Sequence, residues 1–125
     1  MRNTAPVFIE RRSEPRTPVN LPARLYYGQN LAMWADCQLK DLSQSGAKVQ
    51  LSSIYVVPPR LMLVHLQDGI AYDAVVRWRR GDLAGLSFEH AQPLATNTEP
   101  RLAAIREAWI ALQPGIGPRD PGLIG

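Results

Sequence analysis

The feature that most constrains the fold is a series of short stretches in which apolar and polar residues alternate. Because a β-strand turns successive side chains to opposite faces, such alternation is typical of a strand with one buried face. The stretches are residues 19–27, 32–42, 47–51, 60–66, 72–78 and 84–88. Residues 60–66 are apolar at nearly every position, so we expect them to be covered on both faces. The turn signals between the stretches include Asp68-Gly69, which predicts a two-residue hairpin, and residues 28–30 and 80–82.

The alternation also predicts which residues face inward and where the chain bends. The inward-facing residues predicted for the first three strands are Val19, Leu21, Ala23, Leu25, Met33, Ala35, Cys37, Leu39, Ala47, Val49 and Leu51. Continued alternation beyond Lys40 would place Asp41 in the core, where an unpaired carboxylate is costly. We therefore expect the chain to bend at Asp41, and residues 43–46 would permit it. Pro22 is expected at an edge or a bulge, because it cannot donate to a strand ladder.

One helix is predicted, from Glu99 to about Leu112, with Thr98 as its cap and Pro100 in its first turn. Its apolar stripe consists of Leu102, Ile105, Trp109 and Leu112. We expect this stripe to pack on the strands. Short strands with tight turns and one late helix together predict an all-β fold, a small six-stranded antiparallel β-barrel with one C-terminal α-helix.

Length and charge limit the domain organisation. The chain has 125 residues, which predicts one domain, and a net charge of +3, which is too weak to indicate DNA or RNA binding. We divide it into a flexible N-terminal segment 1–10, a domain 11–112 and a disordered tail 113–125. Within the domain we expect a ligand-binding segment 11–18, a barrel 19–90 and a helix 99–112.

The sequence contains no stretch near ~20 consecutive apolar residues and no secretory signal. We therefore expect no membrane insertion and a cytoplasmic location. The single cysteine, Cys37, excludes an internal disulfide and is expected to be a small buried apolar residue.

The sequence shows no catalytic signature: it has no Gly-rich phosphate loop, no zinc-ligand spacing and no catalytic triad. His65 lies within an apolar strand and is expected to be a core histidine with its hydrogen bonds satisfied. His90 follows the last strand and is expected to be solvated. We therefore expect neither an enzyme nor a metal or cofactor site.

The first candidate ligand-binding stretch is Arg11-Arg12-Ser13-Glu14-Pro15-Arg16. Pro15 keeps it out of a helix, so Arg12 and Arg16 would share one face of an extended chain, about 13 Å apart. Arginine suits phosphate and the edge of guanine. On its own, however, this segment is better explained as a solvated charged linker.

The second candidate stretch runs from Asp41 to Gly46. A carboxylate only accepts hydrogen bonds, so Asp41 suits the N–H edge of guanine, and Ser43 can donate or accept. Gly46 permits a positive φ or a close backbone approach to a ligand. Alone, the stretch is also compatible with an ordinary turn.

Taken together, the two stretches resemble the motifs of the PilZ family of cyclic di-GMP receptors. The matching residues are Arg12 and Arg16 for Arg-x-x-x-Arg, Asp41, Ser43 and Gly46 for Asp-x-Ser-x-x-Gly, and residues 75–78 and 85–88 for the later strands. The resemblance covers about residues 11–89. It implies a six-stranded barrel with a C-terminal helix that binds cyclic di-GMP and signals to an unidentified downstream protein.

The resemblance also implies roles for particular residues. Arg12 and Arg16 would hold guanine and phosphate from a segment that orders over the ligand, and Arg11 would help if a stacked ligand dimer binds. Asp41 and Ser43 would hold a guanine. Gly46 would shape the turn, while Trp78 is expected to be packing rather than a ligand contact.

Two other classes of function stay open. The chain could be a PilZ-like protein-interaction module that does not bind cyclic di-GMP. A small barrel could also bind single-stranded nucleic acid, which would need exposed aromatic side chains such as Tyr26 and Trp34. The weak net charge makes this second class the less favoured one.

Overall fold

The computed structural model describes residues 17–113, which form six antiparallel strands followed by one α-helix. The elements are β1 Thr17–Tyr27, β2 Met33–Leu42, β3 Gly46–Gln50, β4 Arg60–His65, β5 Ile70–Arg80, β6 Leu83–Pro93 and α1 Ala103–Leu112. The strands pair in the order β1-β2-β3-β6-β5-β4, and β4 pairs back to β1, so the sheet closes into a barrel. The predicted all-β class with a C-terminal helix is confirmed. The predictions for residues 1–16 and for the tail beyond residue 113 lie outside the described residues.

Two apolar clusters stabilise this arrangement, one inside the barrel and one between its outer wall and α1. Strand β4 contributes to both, because Leu61 and Leu63 point into the barrel while Met62 and Val64 pack beneath the helix. The prediction that this strand is covered on both faces is confirmed. On the helical side of the outer cluster, Leu102 is 1% exposed and Ile105 is 3% exposed.

The inward-facing residues are confirmed with one exception, Met33, which is 56% exposed. Met33 is the first residue of β2 and lies at the rim of the barrel, beside Gly28. Alternation fixes a side of the sheet, but at the end of a strand that side has no opposing wall to cover it.

The helix begins later than predicted, and Thr98 does not cap it. Residues Pro100–Leu102 form a single 3₁₀ turn, and α1 starts at Ala103. The amide of Glu99 donates instead to Oδ1 of Asn97, at 2.7 Å. The packing predicted for the stripe is confirmed for its buried residues, whereas Leu112 at the helix end is 45% exposed.

The two-residue hairpin predicted at Asp68-Gly69 is wrong in length, because the turn spans four residues between β4 and β5. Its closing bond runs from the Gly69 amide to the His65 carbonyl, at 2.8 Å. The longer turn presents the carbonyl of Leu66, which accepts the indole N–H of Trp109 at 2.9 Å and thereby anchors α1. The two-residue turn of the barrel is Gly81-Asp82, where Gly81 has a φ of +60°.

The predictions for His65, for the exposure of His90 and for the cysteine are confirmed, although His90 lies within β6 rather than after the last strand. His65 is 1% exposed and its Nδ1 accepts a hydrogen bond from the Asp68 amide at 3.3 Å, while His90 is exposed. Cys37 lies in the inner cluster. Between residues 17 and 113, no helix has the length and apolar character needed to cross a bilayer.

Candidate functional site

Asp41 is displaced from the core by a bulge, as the sequence predicts. Leu39 of β2 pairs with Val49 of β3, but the next paired residues are Asp41 and Lys48, so the register shifts between Leu39 and Asp41. The Asp41 side chain is 17% exposed, and its Oδ1 accepts the Lys48 amide at 3.0 Å. On the other side of β2, Asp41 pairs with Pro18 of β1. The bulge therefore places a hydrogen-bonded carboxylate on the barrel surface beside the start of β1.

The turn after Asp41 is closed by Ser43 and Gly46. The Ser43 amide donates to the Gly46 carbonyl at 2.9 Å, and the Ser43 hydroxyl donates to the same oxygen at 3.3 Å. Gly46 is buried, and a Cβ there would overlap the carbonyl oxygen of Leu86 on β6. Its φ is not positive. The positive φ considered from the sequence is therefore wrong, and the close approach that Gly46 permits is to the barrel's own backbone.

A cavity of about 330 Å³ opens beside Asp41. It is lined by Asp41, Ser45, Lys48, Arg77, Trp78, Gly85, Leu86 and Ser87. These residues come from β2, the following turn, β3, β5 and β6, which are neighbours in the sheet because β3 pairs with β6 rather than with β4. Of the predicted site residues, Asp41 lines the cavity directly. Ser43 and Gly46 shape the adjoining turn, and Arg11, Arg12 and Arg16 lie outside the described residues.

Sequence reasoning missed the basic side chains of this cavity. Lys48 places its Nζ 3.9 Å from Oδ2 of Asp41, and Arg77 donates through Nε to Oγ of Ser87 at 2.8 Å. The lining residues of the cavity include these two cations and one carboxylate, so the lining carries a net positive charge. Positive potential in a partly enclosed hollow attracts anionic ligands.

Trp78 packs, as predicted, and also lines the cavity. Its indole lies where a Cβ on Gly85 would be, and the side chain is still 38% exposed. Simple alternation puts Arg77 and Trp78 on opposite faces of β5. A register shift between Val76 and Trp78 breaks the alternation, so that both residues reach the cavity. Neither glycine nor proline marks this bulge, so the sequence gives no local signal for it.

The two aromatic residues considered for nucleic-acid binding do not form an exposed groove. Tyr26 is 6% exposed and belongs to the cluster beneath α1. Trp34 is half-exposed, but the guanidinium of Arg24 lies 3.8 Å from its ring centroid and covers a face on which a base would stack. This arrangement weighs against a stacking platform for single strands.

The fold and the cavity define a small closed-barrel binding domain. Comparison with known families matches residues 10–100 to the PilZ domain. Since the match covers most of the chain, the protein belongs to the PilZ domain family, whose members are binding and adaptor modules. A search of curated proteins finds no match.

Proposed function

We propose that this protein is a receptor for cyclic di-GMP that acts as an adaptor for another protein. The observation that carries the proposal is the position of Asp41. A bulge holds this carboxylate at a cavity with excess positive charge, in a chain that belongs to the PilZ family. Members of this family are generally receptors for this ligand.

The chemistry of the cavity suits the ligand. Cyclic di-GMP carries two phosphates and two guanines, so it needs both cations and an acceptor for guanine N–H groups. A carboxylate has about four lone-pair sites, so the bond from the Lys48 amide is compatible with bonds from a guanine to Asp41. Ser43 would complete the guanine contact, and Gly46 would hold the turn in place. Lys48 and Arg77 would attract the phosphates, and the exposed part of Trp78 offers a surface for a base.

Chain connectivity supports a contribution from the N-terminal arginines. Pro18 is the β1 partner of Asp41, and Arg16 precedes Pro18 by two residues. Two residues span at most about 7 Å, so chain length would allow Arg16 to reach the cavity, and Arg12 is four residues further towards the N-terminus. In our proposal, which follows the family resemblance at this point, both arginines bind guanine and phosphate, and Arg11 joins them if a stacked ligand dimer forms.

The proposed mechanism is an order switch. Ligand binding would draw the arginine segment onto the barrel and change the surface offered to a downstream partner. Charged hydrogen bonds contribute roughly 1.5–3 kcal/mol each. A few such bonds are enough for micromolar affinity, which corresponds to about −8 kcal/mol.

Calorimetric titration with cyclic di-GMP tests the proposal. The wild type should bind with micromolar or tighter affinity, and the Arg12→Ala/Arg16→Ala variant should lose at least about 100-fold, since two charge-assisted contacts disappear. The matched control is Lys40→Ala/Arg60→Ala, which removes the same charge from residues that do not line the Asp41 cavity. This control should keep its affinity within about threefold, a difference of less than 1 kcal/mol.

If a folded wild type does not bind cyclic di-GMP, the receptor proposal is wrong. The protein would then be a PilZ-like interaction module without this ligand. If both double variants lose affinity equally, the arginines contribute only net charge, and the specific site is wrong.

A further inference from the structure

The connection between β3 and β4, residues 52–59, is a loop without strand or helix that is nevertheless held at many points. Arg79 of β5 donates to three backbone carbonyls in and next to the loop. They belong to Leu51, Ser52 and Tyr55, at 3.3, 2.9 and 3.1 Å. The loop is pinned at both ends, because the Leu51 amide donates to Asp82 and the Val76 amide donates to Pro59. These bonds give the loop one defined shape.

Two aliphatic side chains of this rigid loop point into solvent. Ile54 is 80% exposed and Val56 is 87% exposed, whereas the neighbouring Val57 packs against the inner cluster. Beside these tips lies a hollow of about 360 Å³, lined by Ser53, Tyr55, Val56, Val57, Arg79 and Gly81. An apolar projection next to a hollow, both already ordered, is the kind of surface that proteins use as a binding anchor.

The strand beside the loop carries unbalanced positive charge. Arg77, Arg79 and Arg80 bond to a hydroxyl, to backbone carbonyls and to the ring of Trp78, respectively. Within residues 17–113, none of the three has a carboxylate within ion-pairing distance. The nearby carboxylate of Asp82 accepts a hydrogen bond from the Gln50 amide instead. A partner that covers this surface therefore needs to bring its own carboxylates.

We propose that residues 52–59 and the arginine end of β5 form a docking surface for an acidic protein segment that carries apolar side chains. Ile54 and Val56 would anchor in the partner, the partner's apolar side chain would enter the hollow, and its carboxylates would face Arg80. This docking surface does not require bound cyclic di-GMP, so it stands or falls independently of the proposed ligand.

The shape and charge favour a protein over other occupants. A lipid bilayer presents no side chain that fills a hollow, and aliphatic tips do not stack on bases. In a two-fold dimer built on this surface, the same arginines from both copies would face one another, which is repulsive.

The experiment is a selection from a random peptide library on the immobilised full-length protein, with counter-selection on an Ile54→Ser/Val56→Ser variant. The recovered peptides should be rich in Asp and Glu around one or two large apolar residues. In fluorescence anisotropy they should bind the counter-selected variant at least 10-fold more weakly than the wild type. Arg80→Glu should weaken binding at least fivefold, with a loss that shrinks at high salt.

The matched control is Ile110→Ser/Leu112→Ser, which removes two other exposed aliphatic side chains, on α1, and should keep affinity within twofold. Circular dichroism should show an unchanged melting temperature for the loop variant, whose replaced side chains are 80% and 87% exposed, and a folded spectrum for the helix variant. Three results would overturn the proposal. One is a set of peptides without acidic residues or without dependence on Ile54 and Val56. The second is binding to phosphatidylglycerol vesicles, without peptide binding, that the Ile54→Ser/Val56→Ser variant loses. The third is a dimer in sedimentation that the same variant loses.

Discussion

Two cavities on the barrel surface differ in how their charges are arranged. The larger, about 500 Å³, contains three carboxylates and two arginines that pair with one another. Arg60 bonds Glu89 at 2.6 Å, and Arg101 contacts both Asp73 and Glu99. The smaller, about 330 Å³, has Lys48 and Arg77 against one lining carboxylate, Asp41, and among residues 17–113 the Arg77 guanidinium bonds to the neutral hydroxyl of Ser87.

This difference indicates which cavity is the candidate site for an anion. In the larger cavity the charges already neutralise one another with a slight acidic excess, so a ligand phosphate would have to displace existing ion pairs. In the smaller cavity, a phosphate would meet two cations, Lys48 and Arg77, and one carboxylate, Asp41, among the lining residues. Cavity size alone would favour the other cavity.

The largest expected effect concerns the turn beside the smaller cavity. Gly46→Ala should destabilise the protein by about 3 kcal/mol, because the new Cβ overlaps a backbone oxygen of β6 that cannot move without opening the β3–β6 pairing. Chemical denaturation followed by circular dichroism measures this loss. Gly81→Ala is the control: its Cβ would meet nothing within 4 Å, and only its positive φ of +60° costs about 1 kcal/mol. Equal losses in the two variants would contradict the steric account.

The second prediction compares the two cavities directly. Asp41→Ala should weaken cyclic di-GMP binding about 30-fold, or about 2 kcal/mol, because the charged acceptor for guanine is lost. Asp73→Ala removes a carboxylate from the larger cavity and should leave affinity within twofold. Calorimetry on both variants decides the matter, and the assignment of the site is reversed if Asp73→Ala has the larger effect.

A third prediction tests whether the barrel interior, against which both cavities lie, is closed to water. Burial raises the pKa of the Cys37 thiol from 9.0 to about 12, with a smaller contribution from the charge of Asp36. Because the folded state holds this proton more tightly than the unfolded chain, the contribution to stability is complete below pH 9. It is lost as pH rises from 9 towards 12, by about 1.4 kcal/mol per pH unit.

Cys37→Ala lacks this titration, so the difference in unfolding free energy between the wild type and the variant should shrink steadily above pH 9. The native thiol should also resist Ellman's reagent at pH 8. A constant difference up to pH 11, or rapid thiol labelling without unfolding, would show that the interior is open.

The smallest effect is expected for the ion pair at the rim of the larger cavity. Glu89→Gln removes a bond between two exposed side chains, 71% and 45% accessible, and should change stability by less than about 1 kcal/mol. Thermal unfolding at low salt is the suitable measurement. A loss well above this value would mean that the ion pairs of the larger cavity are structural anchors rather than surface contacts.

The fold was largely predictable because the apolar pattern has a period of two that only strands satisfy. The bulge at Asp41 was predictable too, since the alternative buries a carboxylate. The lengths of the turns at residues 66–69 and 81–82 were not predictable. Asp68-Gly69 has the stronger local hairpin signal, but its turn has four residues and contacts Trp109 of α1, and such a contact is not visible in a local pattern.

The candidate site was predictable only in part. The spacing of Asp41, Ser43 and Gly46 marks one side of the cavity. Arg77 and Trp78 complete it through a bulge that has no local sequence signal, and through the pairing of β3 with β6, which places β5 one strand further along the sheet. At Gly46 the sequence identified the glycine but not the reason for it. The backbone that requires it, at Leu86, belongs to a strand far along the chain.

The measurement that most directly tests the central claim is an amide spectrum of ¹⁵N-labelled full-length protein during titration with cyclic di-GMP. We expect shifts for residues 41–48, 77–78 and 85–87 around the smaller cavity, together with residues 11–19, while the amides of Asp73, Gln92 and Arg101 stay unchanged. Shifts confined to the larger cavity, or none at residues 41–48 and 11–19 at saturating ligand, would contradict the claim.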